Sequence, residues 1–290
     1  MKNIFIVTDF SPASRNAALY GIELAKFFSA NVHLFHAFQA PVQVPESYLL
    51  YKTEDVWANI RELLVNEADA INPDKLVQVE ISGSEGAAAK AIDAEATLKQ
   101  ADIIICGMKA TAKGLRRVFG STTTALTRTT AIPLLVVPED AVFKRPARIA
   151  LASDMDQETS AETVELLKQL GEKFSSRLSV VWVVEEEMQE TYTNRFQPTP
   201  VINNLKGLNP EYEFPKGSNV AHVLEQFASD NAIDIMAVIP HKHGFFNRLF
   251  VESTTTHLIF HTHIPLLLLH QQKTGDTNAD AGINDFAEKH

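Results

Sequence analysis

The sequence predicts an α/β protein made of two tandem doubly wound domains, each an open parallel sheet covered by helices, packed together as an internal pseudo-dimer. Three observations carry the two-domain α/β part of this expectation. Segments recur at a fixed offset, short apolar runs alternate with helical patterns, and 290 residues suit two domains at roughly 100 to 200 residues each.

The repeat decides the architecture. AIPLLVVP at 131–138 returns as HIPLLLLH at 263–270, and STTTAL at 121–126 returns as STTTHL at 253–258, both at an offset of 132 residues. ADIIICG at 101–107 matches IDIMAVI at 233–239 at the same offset, whereas NIFIVTDFS at 3–11 matches RIALASDMD at an offset of 145. The second copy is therefore about 13 residues shorter, the loss falling between its first strand and its late core, where loops tolerate length changes. We place the first domain at 1–138, a polar linker after it, the second domain at 148–270, and a polar, disordered tail at 271–290.

Ile4 to Val7 is an unbroken apolar run, as a strand buried on both faces requires. Ser11 then reads as an N-cap with Pro12 at the first helical position, and Ala17, Tyr20, Leu24 and Phe28 recur at helical spacing. Val32 to Ala37 follows as a strand. A long polar connection leads to a strand at Leu76 to Ile81 and a helix at Ala87 to Leu98. Strands at Ile103 to Cys106 and Leu134 to Val137 enclose a helix from about Ser121. The second copy repeats the pattern with strands at Ile149 to Ala152, Leu178 to Val184, Ile235 to Ile239 and Leu266 to Leu269. Its helices run from Val164 to Phe174 and from Val220 to Ser229.

Composition narrows the function. A net charge of −10 and the lack of a basic stretch argue against nucleic acid as a partner. No apolar run approaches the roughly 20 residues of a membrane span, so we expect a soluble, cytoplasmic protein with no membrane partner. The single cysteine, Cys106, excludes an intrachain disulfide and reads as a small buried hydrophobe ending a strand. Seven of the ten histidines follow residue 240. His257 and His261 would share a helix face at i, i+4 spacing, but no Glu completes a zinc motif, and their counterparts Ala125 and Thr129 are not ligands. The histidines therefore read as exposed or interface residues, with no metal site.

In an open parallel sheet, ligands sit outside the carboxyl ends of the strands where strand order reverses. The candidate loops are Thr8-Asp9-Phe10, Ala37-Phe38 and the stretch from Gly107. Gly107 to Leu126 combines glycines, the basic residues Lys109, Lys113, Arg116 and Arg117, and a Gly-Ser pair opening a helix. That combination suits an anion, because flexible backbone and free N–H groups at a helix N-terminus both meet phosphate oxygens. A plainer reading stands beside it, in which Gly107 and Gly120 only permit turns and Ser121 only caps a helix. Neither GxxxxGK[ST] nor GxGxxG occurs.

TDFSPASRNAALYGIELAK at 8–26, GSEGAAAKAI at 83–92, ADIIICGMK and GSTTTALTRTTAIPLLVVP together resemble the universal stress protein family, over nearly all of the first copy and more faintly the second. The resemblance implies ATP with Mg²⁺ as ligand, through a motif of Gly, two residues, Gly, nine residues, Gly and Ser or Thr, with an Asp after the first strand. Here the motif falls on Gly107, Ala110, Gly120 and Ser121, with Asp9 as the acid. Ala110 replaces the second glycine, and Gly114 could serve after a one-residue shift. The implied nucleotide-binding set is Thr8, Asp9, Phe10, Ala37, Gly107, Met108, Ala110, Gly114, Gly120, Ser121 and Thr122.

The same positions in the second copy are Ile239, Lys242, Glu252 and Ser253, so that copy is expected to be a structural partner without nucleotide, although Asp154 persists. Glu252 would repel phosphate by roughly a kcal/mol. No catalytic constellation is visible, which leaves at most slow hydrolysis. The expected function is stress-response regulation through adenine nucleotide binding, the alternative an interaction protein acting through protein partners. Family members commonly dimerise through their last strands. The strands at Leu134 to Val137 and Leu266 to Leu269 are thus expected to pair antiparallel within the chain, burying Leu135 and Leu267, with a further homodimer as an extension.

Overall fold

The computed structural model describes residues 1–39, 53–110, 117–118, 120–152, 160–184, 204–239 and 263–270. Among them, eleven strands form one sheet with helices on both faces. The first half contains β1 (Asn3–Val7), α1 (Pro12–Phe28), β2 (Asn31–Phe38), α2 (Thr53–Ile71), β3 (Val79–Glu85) and α3 (Ala88–Leu98). It continues through β4 (Ile103–Ala110), the short β5 (Arg117–Val118), α4 (Ser121–Thr129) and β6 (Leu134–Pro138). The second half contains β7 (Arg148–Ala152), α5 (Ala161–Phe174), β8 (Arg177–Val181), β9 (Glu211–Glu213), α6 (Val220–Asp230), β10 (Ile235–Val238) and β11 (Leu266–Leu268).

Local chemistry sets the helix ends as the sequence indicates. The Ser11 hydroxyl accepts from the Ser14 N–H at 3.3 Å with Pro12 opening α1, and Ser29 closes it in the left-handed region at φ 52°. In the second half Ser160 caps α5 by accepting from the Thr163 N–H, and Ser175 ends it at φ 55°. A second pair of matching details lies at the opposite ends of the strands. Asp102 accepts from the backbone N–H groups of Lys2 and Asn3, where β1 begins, and Asp234 accepts likewise from Ala147 and Arg148, where β7 begins. The repeat in the sequence is thus also a repeat of side-chain function.

The strand order is β3-β2-β1-β4-β6-β11-β10-β7-β8-β9, so the second half mirrors the order of the first. Pairing is parallel within each half, apart from β5 on β4. At the centre β6 and β11 pair antiparallel, with Leu135 opposite Leu267, Val136 opposite Leu266 and Leu134 opposite Leu268. The expected pairing of last strands is therefore present, with Leu135 and Leu267 both buried.

Alternation along these strands divides the core into two layers, each running unbroken through both halves. Ile4, Ile6, Leu135, Val137, Leu267 and Leu269 face one layer, under α1, α2 and α5. Phe5, Leu134, Val136, Leu266 and Leu268 face the other, under α3, α4 and α6. Off the sheet, Phe143 of the linker lies against Tyr20 and Phe27, and Phe174 meets Phe27 and Phe28 edge-on.

Three expectations need correction. β3 spans Val79–Glu85 rather than 76–81, because its register is set by β2, with Val32 opposite Val79, while Leu76 is largely exposed before the strand. The long polar connection contains α2, whose buried Ile60, Leu64 and Ile71 recur on one face among charged neighbours. In the second half β8 stops at Val181, and Val184 makes only an isolated bridge to Lys216, while β9 was not foreseen. Asp154, Lys242, Glu252, Ser253, His241, His243, His257, His261 and the tail lie outside the described residues. No described helix is long and apolar enough to cross a membrane.

Two histidines do stand at the central junction. The His263 Nδ1 lies 2.7 Å from the Asp140 carboxylate, and the His270 ring lies 3.1 Å from the Ile132 carbonyl and 3.2 Å from that of Thr127.

Two outcomes are expected. Leu267→Ala should cost about 2–5 kcal/mol of stability and Leu267→Asp more, because a carboxylate there faces Leu135 without water; urea denaturation of the full chain checks this. Burial holds the His270 imidazole below its ordinary value of 6.5, outweighing the opposing effects of its two carbonyl contacts and Asp93; burial also lowers His33. Below pH 6.5 the unfolded chain therefore takes up protons that the folded chain refuses, so stability falls as the pH drops through this range. His270→Gln, which hydrogen-bonds without titrating, should flatten that part of the profile in denaturation measured from pH 7.5 to 5.

Candidate functional site

Strand order reverses between β1 and β4, since β2 and β3 lie on one side and β6 on the other. A cleft of about 270 Å³ opens at the carboxyl ends of these strands, bounded by the first turns of α1, α3 and α4. Of the residues predicted for the site, Thr8, Asp9, Ala37, Gly107, Gly120, Ser121 and Thr122 line it.

The others are placed differently. Phe10 does not line the cleft but packs at a tilt against His36, with ring centroids 4.7 Å apart. Met108 is wholly buried in the core. Ala110 is the last residue of β4, paired with Arg117, and Gly114 lies outside the described residues. The predicted loop from Gly107 is in fact strand as far as Ala110, because β4 continues to pair with β6 through Gly107 opposite Val137 and Met108 opposite Pro138.

The two glycines of the motif do different work. A Cβ on Gly107 would stand 2.5 Å from the backbone carbonyl of Ala13 and 2.7 Å from the Ser14 nitrogen. Glycine at 107 is therefore what lets the first turn of α1 rest on β4. Gly120 is the N-cap of α4, with ordinary extended torsions (φ −62°, ψ 160°), and a Cβ there would meet nothing within 4 Å. Neither torsion nor crowding by described residues asks for glycine at 120. What this position leaves open is direct approach to the first N–H groups of α4, which no side chain among the described residues caps.

Serine and threonine hydroxyls organise the opposite wall. The Ser14 hydroxyl lies 3.2 Å from that of Thr8 and accepts from the Asp9 N–H at 3.3 Å, while the Thr8 hydroxyl accepts from the Phe10 N–H at 3.0 Å. Asp9 accepts from the Ser11 N–H at 3.1 Å and from Lys109 Nζ at 3.0 Å. Partial burial on its own would raise the Asp9 carboxyl, but its hydrogen bonds with Ser11, Lys109 and Ser14 prevail and hold it well below the usual carboxylate range. The site thus keeps a fixed negative charge in the same cleft as helix amides that no described side chain caps.

His36 also lines the cleft, its Nδ1 2.7 Å from the Thr8 carbonyl. Cys106 lines the floor of the cleft but is buried, and burial pushes its thiol up to about 12, so it is a packing residue rather than a nucleophile. Ser14, His36, Ala88 and Ile92 were not singled out from sequence. Ser14 carries the one available signal, three residues after the N-cap Ser11; the others reach the cleft only through the sheet order. Among the described residues no group of three His, Cys, Asp or Glu side chains could hold a metal ion.

The universal stress protein family profile matches residues 1–138. Residues 1–138 belong to the universal stress protein family. The fold agrees with that of a universal stress protein from Archaeoglobus fulgidus DSM 4304, with a TM-score of 0.69 at 12% identity, over 93% of this chain and 98% of the other. It is also similar to a Pseudomonas aeruginosa UCBPP-PA14 protein assigned to the same family, with a TM-score of 0.56 at 12% identity and coverage of 93% and 94%. At such identity the likeness shows the fold alone. Among curated proteins, none matches the chain.

The two glycines of this universal stress protein domain should respond oppositely. Gly107→Ala is expected to cost about 1–3 kcal/mol, since the methyl meets rigid backbone. Gly120→Ala should stay within about 1 kcal/mol of the parent, because the position is open. Thermal unfolding of both variants checks this.

Proposed function

We propose that the first domain binds an adenine nucleotide, ATP with Mg²⁺, in the cleft between β1 and β4, and that the chain acts as a stress-response regulator by binding rather than by turnover. The observation that carries this reading is the N-terminus of α4 at Gly120, which no described side chain caps or crowds and which lines the same cleft as the carboxylate of Asp9.

The residues fit the group. The amides of Ser121 and Thr122, with the Ser121 hydroxyl, would hold phosphate oxygens, and Asp9 would accept hydrogen bonds from ribose hydroxyls. Ala37 and the His36 ring bound the side of the cleft open to a base. Mg²⁺ would arrive on the phosphates, since the described residues offer no metal cluster of their own. In the same reading residues 148–270 form a second domain that completes the sheet without binding nucleotide, and 271–290 is a tail. Expected localisation is the cytoplasm.

Calorimetric titration of the full chain with ATP and Mg²⁺ tests this. Gly120→Glu, which imports the residue standing at 252, should abolish binding while leaving the fold intact. Asp9→Ala should weaken binding by about tenfold, whereas Asp154→Ala should leave it unchanged. Absence of heat with the unaltered protein, and equal losses from Asp9→Ala and Asp154→Ala, would each sink the assignment to the first domain.

A further inference from the structure

Asp9 and Lys109 reach across the mouth of the cleft from two different strand ends. Asp9 follows β1, and Lys109 lies near the end of β4, where its pairing with Val118 fixes the backbone from which the side chain extends. Their charged groups stand 3.0 Å apart, and both side chains are more than half exposed, at 60% for Lys109 and 56% for Asp9. An ion pair so open to water holds its partners weakly. Asp9 retains the Ser11 N–H on its other oxygen, so losing the lysine would not leave the carboxylate without a donor.

The first turn of α4, whose amides no described side chain caps, lines the same cleft as this pair. A phosphate group settled on those amides carries more charge than one carboxylate and is the stronger acceptor for an ammonium group. We propose that Lys109 serves two acceptors in turn, the Asp9 carboxylate as it stands in the structure and the phosphate of a bound nucleotide, so that phosphate binding frees the Asp9 Oδ2 for the ribose. This rests on the cleft being a nucleotide site.

The exchange couples the two ends of the ligand. A nucleoside without phosphate must compete with Lys109 for Asp9, whereas a nucleotide draws the lysine away as it binds. Lys109 is then a selectivity residue that favours phosphorylated over free nucleosides. A fixed cation that merely attracted phosphate would strengthen nucleotide binding without weakening that of the nucleoside.

The test is titration of the full chain, unaltered and as Lys109→Met, with adenosine and with ATP and Mg²⁺. Lys109→Met is expected to weaken ATP by about tenfold or more and to strengthen adenosine by about threefold to tenfold, with Lys109→Gln doing the same and Lys109→Arg keeping the parent order. ATP weakened with adenosine unchanged, or both ligands weakened together, would overturn the exchange while leaving the nucleotide reading intact. Failure of the unaltered protein to bind either ligand would overturn the nucleotide reading and this proposal with it.

Discussion

The antiparallel pairing of β6 with β11 is the constraint on which the molecule depends. Each strand ends a parallel sheet with a row of backbone donors and acceptors, and each is apolar on both faces, so neither could remain an edge in water without cost. Joining them satisfies the backbone groups and extends both core layers through the whole chain at once. The aromatic contacts of Tyr20, Phe27, Phe28, Phe143 and Phe174 then close the same junction outside the sheet, where the linker crosses.

Joining the halves at β6 and β11 leaves the carboxyl ends of β1 and β4 free to carry a site, and one close contact shapes it. Because Gly107 has no side chain, α1 rests directly on β4, bringing Ser14 and the Asp9 turn to the cleft wall. From there the hydroxyls of Thr8 and Ser14 arrange the turn, and the carboxylate of Asp9 is kept charged against the effect of its own burial. The opposite wall needs no such support. The first turn of α4 presents its amides to the cleft because its cap residue, Gly120, has no side chain to bond them.

The polar groups of the site thus fall into a rigid set and an adjustable one. Ser14 and Thr8 are buried and bonded to one another, whereas Lys109 and Asp9 meet at the solvent edge. Cys106 and Met108, adjacent in sequence to the glycine of the motif, both belong to the core, and only Cys106 also reaches the cleft.

Much of the fold was legible in the sequence, because the determinants are local. Unbroken apolar runs mark β1, β4, β6 and β11 wherever they lie in the chain, Ser11 and Pro12 start α1, and the repeat of Leu-rich endings announces two similar halves. The motif likewise put Asp9, Gly107, Gly120 and Ser121 at one cleft. What the sequence could not assign was register and reason. β3 takes its position from β2, a partner more than forty residues away in the chain, so the apolar onset at Leu76 misled. Gly107 looks the same in sequence whether it makes room for phosphate or for the backbone of α1, and only the 2.5 Å approach to Ala13 distinguishes them. His36 and Ile92 enter the site because β2 and α3 are brought beside β1 and β4, a proximity created by sheet order and absent from any local pattern.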